Sequence, residues 1–335
     1  MTGWRILAMC AVGIACALFN GATRAQTFEI KVSHAANTKH PIHKVLEQFK
    51  TIAEERSKGK LSVKIYHSGQ LAGQREGVEG LQLGTIEIVA IPSGVAAGFD
   101  SAFMLLDVPF QFDNIEHARR VIDRAGEKLI FADLAKSGLV GLAIWEQGYR
   151  NLGTTKKRPV RGVEDVKDLK LRTMEAPLHV TAWRALGANP TPMGWAQVFT
   201  SLQQGVVDGV EIPSYLFTQT GVHEVVGQVI LTQHIYDSVI VLGSKARFDR
   251  MTPELQKIVR DALVELTPEQ RRLNQHDVDE AEQQLPKLGV QVVKLDAAQM
   301  AKFRDVSQPP VLAQVQAKTG EEKVAAWKKA IVDAR

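Results

Sequence analysis

The chain has 335 residues, of which 45% are hydrophobic and 23% charged, so it can bury a sizeable core, most simply in two domains. Its 41 basic and 37 acidic residues give a net charge of +4, which is too small to indicate a nucleic-acid partner. The only cysteines are Cys10 and Cys16. The remainder of the chain therefore offers no disulfide, no thiol nucleophile and no cysteine-ligated zinc.

The first 25 residues have the pattern of a secretory signal peptide. Arg5 precedes an apolar run over residues 6–19, and Thr23-Arg-Ala25 has small residues where a signal peptidase cleaves. The run is shorter than an ordinary membrane span, although a transmembrane anchor remains the alternative. We predict cleavage after Ala25 and a periplasmic location. Cleavage would remove both cysteines and two arginines, which lowers the net charge to +2.

After residue 25, short β-type runs alternate with amphipathic helical runs. Strands are predicted at 28–33, 61–67, 86–91, 139–145 and 239–243, and helices at 41–57, 74–83, 114–136, 177–186 and 195–202. This alternation predicts an α/β fold with a largely parallel sheet. The strand at 239–243 is expected to return to the first lobe, and the basic stretch 154–161 to form a surface connection between lobes.

Residues 252–285 predict a long helix with an irregularity near its middle. Thr252-Pro253 opens the helix, and Thr267-Pro-Glu-Gln270 has the pattern of a second helix start. Because an interior proline costs about 3 kcal/mol, we expect a kink or a break at this point.

Sequence motifs for catalysis or cofactor binding are absent. The chain has no GxGxxG after a strand, no GxxxxGK[ST], no HExxH and no GxSxG. His40 and His43 form the nearest approach to a metal pair, but they lack a third ligand, which favours a solvated helix start. We therefore predict a chain that is not an enzyme and that holds neither a cofactor nor a metal.

Several ordered motifs together resemble the extracytoplasmic solute-binding proteins of TRAP transporters. They are Ser68-Gly-Gln-Leu71 with Glu76 and Gly84, Leu106-Asp-Val-Pro-Phe-Gln-Phe112, Gly148-Tyr-Arg150, Asp165 through Arg172, Asn189-Pro-Thr-Pro-Met193, Gly205-Val-Val-Asp-Gly-Val-Glu211 and Leu231-Thr-Gln-His-Ile-Tyr236. The resemblance implies a two-lobe fold of the type II periplasmic-binding-protein kind, with a hinge, a ligand cleft and a long helix that crosses both lobes. It also implies capture of an organic acid and delivery to the membrane subunits of a permease driven by an ion gradient.

The lobes are expected to be discontinuous in sequence. Residues 26–147 with 236–275 are expected to form the first lobe, and 148–235 with 276–335 the second. We expect a monomer.

The resemblance also assigns residues to the ligand site. It implies that Arg172 grips the ligand carboxylate and that Arg150 adds a second cationic contact. A guanidinium suits this role because its planar fork donates two parallel hydrogen bonds and stays charged. From the residues alone, Arg172 could instead pair with Asp168 or Glu175 at a strand end.

The resemblance places two more residues at the cleft. Glu76 is expected to accept hydrogen bonds from ligand hydroxyls, with a helix-surface glutamate as the alternative. Trp195 is expected beside the ligand. Because it also falls in an apolar stripe, it can pack into the core at the same time.

One motif departs from the family pattern. The commonest family sequence is Asp-Gly-Gln-Glu-Asn-Pro, whereas this chain has Asp208-Gly-Val-Glu-Ile-Pro213. Ile212 cannot donate the hydrogen bond of the usual asparagine, so Tyr215, Tyr236 and His234 are candidates to replace it. Glu211 is also expected around the ligand.

The departure bears on the choice of ligand. A sugar acid or an aromatic acid fits better than sialic acid or the simplest dicarboxylates.

Two other classes of protein remain open. One is the binding subunit of another uptake or sensing system. The other is an exported α/β enzyme with Glu76 or Glu211 as its base.

Overall fold

The computed structural model describes residues 27–335. The strands are β1 Phe28–Ser33, β2 Leu61–Tyr66, β3 Ile88–Pro92, β4 Leu139–Thr154, β5 Lys170–Thr173, β6 Asn189–Pro192, β7 Gly209–Pro213, β8 Gln228–Leu231, β9 Tyr236–Ser244 and β10 Gln291–Lys294. The helices are α1 Pro41–Arg56, α2 Gln74–Leu83, α3 Ser93–Ala96, α4 Ile115–Val121, α5 Glu127–Ile130, α6 Pro177–Ala185, α7 Val198–Gln203, α8 Ser214–Gln219, α9 Lys245–Phe248, α10 Pro253–Glu265, α11 Thr267–Gln284, α12 Ala297–Thr319 and α13 Glu321–Asp333. The predicted signal peptide lies outside the described residues.

The strands form two groups, which are joined through β4. The first lobe is built on β2, β1, β3 and β9, and the second on β7, β5, β6, β8 and β10. The sheet is mixed, because β9 runs antiparallel to both β3 and β4, and β4 runs antiparallel to β7 and β8. The α/β class is confirmed. The expectation of a largely parallel sheet holds only within β1–β3, β5–β7 and the β8–β10 pair.

The chain crosses between the lobes inside a strand. Residues 139–149 of β4 pair with β9, whereas residues 150–154 pair with β7 and β8. The prediction that 154–161 connects the lobes is therefore wrong, because this stretch begins where β4 is already paired within the second lobe. A single strand can continue through the boundary because both of its halves find backbone partners. The returning strand, β9, is confirmed.

The predicted interruption of the long helix is also confirmed. Helices α10 and α11 meet at Leu266, with φ −81° and ψ −5°, and Pro268 lies in the first turn of α11. Helix α11 packs against α1 of the first lobe, against β4 and against α8 of the second lobe. It therefore crosses both lobes.

The C-terminal helices do not follow the expected division. Helix α12 packs against α6 and also against residues 101–107, and α13 packs against α4 and α5 of the first lobe. Trp327 donates from Nε1 to Gln111 at 3.0 Å, and His117 Nε2 lies 2.8 Å from the carbonyl oxygen of Ile331. The assignment of all of 276–335 to the second lobe is thus wrong for α13, since buried Trp327 completes the apolar core of the first lobe.

Two predicted helices begin or continue irregularly. The run at 114–136 is broken into α4, a π turn at Ile122–Gly126, α5 and a 3₁₀ turn at Leu134–Ser137. The run at 195–202 opens with a 3₁₀ turn before α7. Within residues 27–335, no helix combines the length and the apolar character needed to cross a membrane.

Candidate functional site

A cavity of about 780 Å³ lies between the lobes. Its polar and aromatic lining residues are Asn37, His40, Ser68, Gln74, Glu76, Gln147, Arg150, Arg172, Glu175, Trp195, Gln197, Gln219 and Thr220. Both lobes contribute to this wall, and its size suits a small ligand.

Arg172 reaches the cavity from β5. Leu171 points into the second-lobe core, and the alternation of the strand turns Arg172 to the other face. The guanidinium is buried, with 2% of the residue exposed, and donates from Nε and Nη2 to the carbonyl oxygen of Met193 at 3.2 and 2.8 Å. Among residues 27–335, no carboxylate lies within 4 Å of it, so the alternative pairing with Asp168 or Glu175 is not observed.

The electrostatics of Arg172 follow mainly from its burial, which the more distant charges of Glu211, Glu175 and Asp237 offset only in part. Burial lowers the pKa of the Arg172 guanidinium to about 9, which keeps it protonated at neutral pH. Its charged plane lies over the ring of Trp195, with 5.7 Å between the guanidinium carbon and the ring centroid. A buried cation in this state favours a ligand that brings a negative charge.

Arg150 is held in a different way. It lies on β4, is 3% exposed and forms ion pairs with Glu211 of β7 and Asp237 of β9. It also donates to the backbone carbonyl of Glu211. Although burial alone would lower the pKa of Arg150, these two carboxylates raise it above its usual range. The charge of Arg150 is therefore already balanced by the protein.

Further groups extend this buried network beneath the cavity wall. Glu211 accepts from the imidazole nitrogens of His179 at 3.1 Å and of His234 at 3.3 Å. Asp107, from the first lobe, lies 3.6 Å from the other ring nitrogen of His179. Burial opposes a charge on His179, but Glu211 and Asp107 outweigh it and raise the pKa of His179 to about 9. The network therefore joins both lobes and fixes the position of Arg150.

Four of the residues expected around the ligand lie behind the cavity wall. Glu211 and His234 belong to the network just described and are buried. The buried hydroxyl of Tyr236 donates to Glu146 at 2.5 Å, and that of Tyr215 lies 2.9 Å from His40 Nε2. Because their polar atoms are bonded to the protein, these side chains do not replace the asparagine whose position Ile212 occupies. Ile212 itself is on the wall.

Glu76 and Trp195 do line the cavity. Glu76 is exposed in the first turn of α2, and its carboxylate folds over Gly73, where a Cβ atom would lie 2.3 Å from Oε2. Trp195 is half-buried and also packs against the second-lobe core, so both of its expected roles are compatible with its position.

Several polar residues of the wall were not predicted to contact the ligand, among them Asn37, Gln147 and Glu175. Gln147 precedes the Gly-Tyr-Arg motif, which is the one local signal that pointed toward it. His40 was expected at a solvated helix start, but it is 3% exposed. That expectation is wrong because Tyr215 of the other lobe covers the ring.

One group within residues 27–335 has the spacing of a cation site. His276, Asp277 and Glu280 lie close together on α11. Asp277, however, accepts from Gln219 at 2.6 Å and lies 4.0 Å from the ammonium group of Lys44. These contacts account for the carboxylate, and we assign no metal to it.

Comparison with known proteins agrees with this architecture. A periplasmic 2,3-diketo-L-gulonate-binding protein of Escherichia coli is 33% identical over 75% of this chain and 76% of its own length. The crystal structure of a TRAP solute-binding protein from Desulfovibrio salexigens with orotic acid superposes with a TM-score of 0.89 at 26% identity, covering 92% of this chain and all of that one. A sugar-acid-binding protein from Advenella mimigardefordensis in complex with galactonate superposes with a TM-score of 0.87 at 27% identity, covering 92% and 99%.

The family profile described as bacterial extracellular solute-binding protein, family 7, matches residues 32–318. This span includes both strand groups apart from the start of β1, together with the crossing helix and the lining of the cavity. The chain belongs to this family of extracellular solute-binding proteins, the solute-binding proteins of TRAP transporters.

Proposed function

We propose that this protein captures an organic acid by its carboxylate in the cavity between the lobes, and that a sugar acid or an aromatic acid is the natural ligand. The observation that carries the proposal is Arg172, a buried guanidinium on the cavity wall without a carboxylate partner among the described residues. The similar proteins named above bind galactonate, orotic acid and 2,3-diketo-L-gulonate, all of which carry an acid group.

The lining residues take distinct roles in this proposal. Arg172 supplies a planar pair of donors to the carboxylate. Arg150, whose charge is balanced, contributes its remaining N–H groups and the shape of the wall. Glu76 accepts hydrogen bonds from hydroxyl groups, and Trp195 packs beside the ligand.

Binding and closure are coupled in this arrangement. Lining residues come from both lobes, so a ligand that contacts both is held most tightly when the lobes are together. Its preference for the closed form sets how far it shifts the equilibrium. We further propose that the closed form docks on TRAP membrane subunits, and that the chain is exported to the periplasm as the signal-like N-terminus suggests.

Thermal stability against a panel of acids tests the carboxylate role. The protein is unfolded and refolded to remove carried ligand, and melting is followed with sugar acids, aromatic acids and dicarboxylates. A ligand at 100 times its Kd adds about 2.7 kcal/mol of stability, which is visible as a higher melting temperature.

The decisive comparison is between two arginine variants. Arg172→Ala should abolish the shift, whereas Arg184→Ala, at an exposed arginine near the end of α6, should leave it unchanged. A shift of full size in Arg172→Ala would refute carboxylate capture by this residue.

A further inference from the structure

The charged groups of the cavity wall do not balance one another. Arg150 is neutralised by Glu211 and Asp237, which leaves Arg172 as the cation available to a ligand. His40 adds no charge at neutral pH, because burial lowers its pKa to about 3. Among the described lining residues, one cationic group is therefore free to meet one carboxylate.

Two carboxylates face the same cavity. Glu76 comes from α2 of the first lobe, and Glu175 follows β5 in the second lobe, three residues after Arg172. Within residues 27–335, neither has a basic group within 4 Å nor a side-chain hydrogen bond, in contrast to the neighbouring Glu79, which pairs with Arg75 at 3.3 Å. Neither carboxylate is therefore committed to a close protein partner, although the charge of Glu175 acts on Arg172 at longer range, and both can accept hydrogen bonds from a ligand.

Ionised carboxylates only accept hydrogen bonds. A ligand hydroxyl can donate to them in a charge-assisted bond, whereas a second ligand carboxylate would meet groups of like charge. Such an unfavourable contact contributes to specificity because specificity is a difference between two binding free energies, and the contact weakens only the unwanted ligand.

We propose that Glu76 and Glu175 make this site selective for a polyhydroxylated monocarboxylate and exclude the corresponding dicarboxylate. Arg172 takes the single carboxylate, and the two glutamates accept from hydroxyl groups along the remainder of the ligand. This inference rests on the proposed function and adds to it the residues that determine specificity.

Matched pairs of sugar acids test the selection. Galactonate and galactarate share their carbon chain and differ at C6, which is a CH₂OH group in the first and a carboxylate in the second. Gluconate and glucarate differ in the same way. Calorimetric titration of the refolded protein should give a Kd at least ten-fold lower for the monocarboxylate of at least one pair.

Removal of the two negative charges should relax this preference. In Glu76→Gln/Glu175→Gln, the ratio of the two Kd values should shrink at least ten-fold, with tighter binding of the dicarboxylate as part of the change. Glu79→Gln, on the same helix as Glu76 and outside the cavity lining, should leave the ratio unaltered. Equal or preferential binding of the dicarboxylate by the unmodified protein, or an unaltered ratio in the double variant, would overturn the inference.

Failure of the proposed function is distinguishable from failure of this selection. Binding of neither member of either pair overturns the selection for sugar monocarboxylates. Carboxylate capture is then decided separately, by whether any acid of the wider panel produces a thermal shift that Arg172→Ala removes.

Discussion

Arg172 donates twice to a single carbonyl oxygen, that of Met193, from Nε at 3.2 Å and from Nη2 at 2.8 Å. These two bonds orient the guanidinium plane and leave Nη1 without a hydrogen-bond partner among residues 27–335. The arginine is thus held in place before a ligand arrives, which reduces the entropy that binding must overcome.

This arrangement predicts opposite effects on stability and on binding. The pKa of Arg172 is depressed in the folded protein, so at pH values below about 9 the charged group opposes folding of the ligand-free form. Arg172→Met should therefore leave the ligand-free protein equally stable or stabilise it by about 1–4 kcal/mol. Urea unfolding without ligand measures this, and a loss above about 2 kcal/mol would contradict it.

Arg172→Lys should separate charge from geometry. Lysine retains the positive charge but cannot reproduce the planar fork or the double bond to Met193. Loss of a buried charge-assisted contact costs about 2 kcal/mol or more, which corresponds to a Kd at least about 30-fold weaker. Calorimetry with the best acid of the panel measures the change, and an affinity within three-fold of the original, roughly 0.65 kcal/mol, would count against bidentate recognition.

Glu211→Gln should destabilise the protein although Glu211 lies behind the cavity wall. Burial favours the neutral acid, but Arg150 and His179 hold the pKa of Glu211 well below its usual range. Removing one member of a buried charge network costs about 3–5 kcal/mol because its partners remain buried. Denaturant unfolding should show this loss, with the exposed Glu224→Gln as the control. A loss below about 1 kcal/mol would mean that the network is not held by charge.

The pH dependence of stability should have a maximum at about pH 6.5 to 7, with a fall on both sides. Burial lowers the pKa values of His34 and His40 to about 3, so the unfolded chain binds more protons below pH 6.5 and stability falls as the pH drops. His179 acts in the opposite sense. Because its pKa is raised to about 9, its contribution is complete below pH 6.5 and is lost as the pH rises through 9.

Unfolding free energies measured from pH 5 to 10 test both the fall in stability on the acid side of the maximum (the acid limb) and the fall on its alkaline side. Between pH 6.5 and 5, each depressed histidine should cost up to about 2 kcal/mol. His40→Gln should flatten the acid limb, whereas His276→Gln, at an exposed position on α11, should not. An acid limb that keeps its full slope in His40→Gln would show that His40 does not titrate in this way.

Trp327→Ala tests the placement of α13 on the first lobe. The side chain is 2% exposed, packs in the first-lobe core and bonds to Gln111. Its truncation should cost about 3–5 kcal/mol. Trp327→Phe, which retains most of the apolar volume but loses the indole donor, should cost less. Equal stability of Trp327→Ala and the unmodified protein would place this helix outside the cooperative core.

Local patterns in the sequence were sufficient for much of the fold. Strand alternation, helical periodicity and the Thr267-Pro268 start depend on neighbours within a few residues, and each reappears in the structure. The ordered motifs were equally sufficient for the family, and they placed Arg172 at a strand end that proves to face the cavity.

Only the tertiary structure decided how the charges are paired. Arg150 meets carboxylates 61 and 87 residues further along the chain, and no local pattern reports such contacts. The same limit explains why Tyr236 and His234 were placed at the ligand, although their polar atoms are bonded inside the wall. It also explains Trp327, whose helix returns to the first lobe. Side-chain type and spacing determined which groups this chain has available, whereas packing between distant segments decided which charges remain free for a ligand.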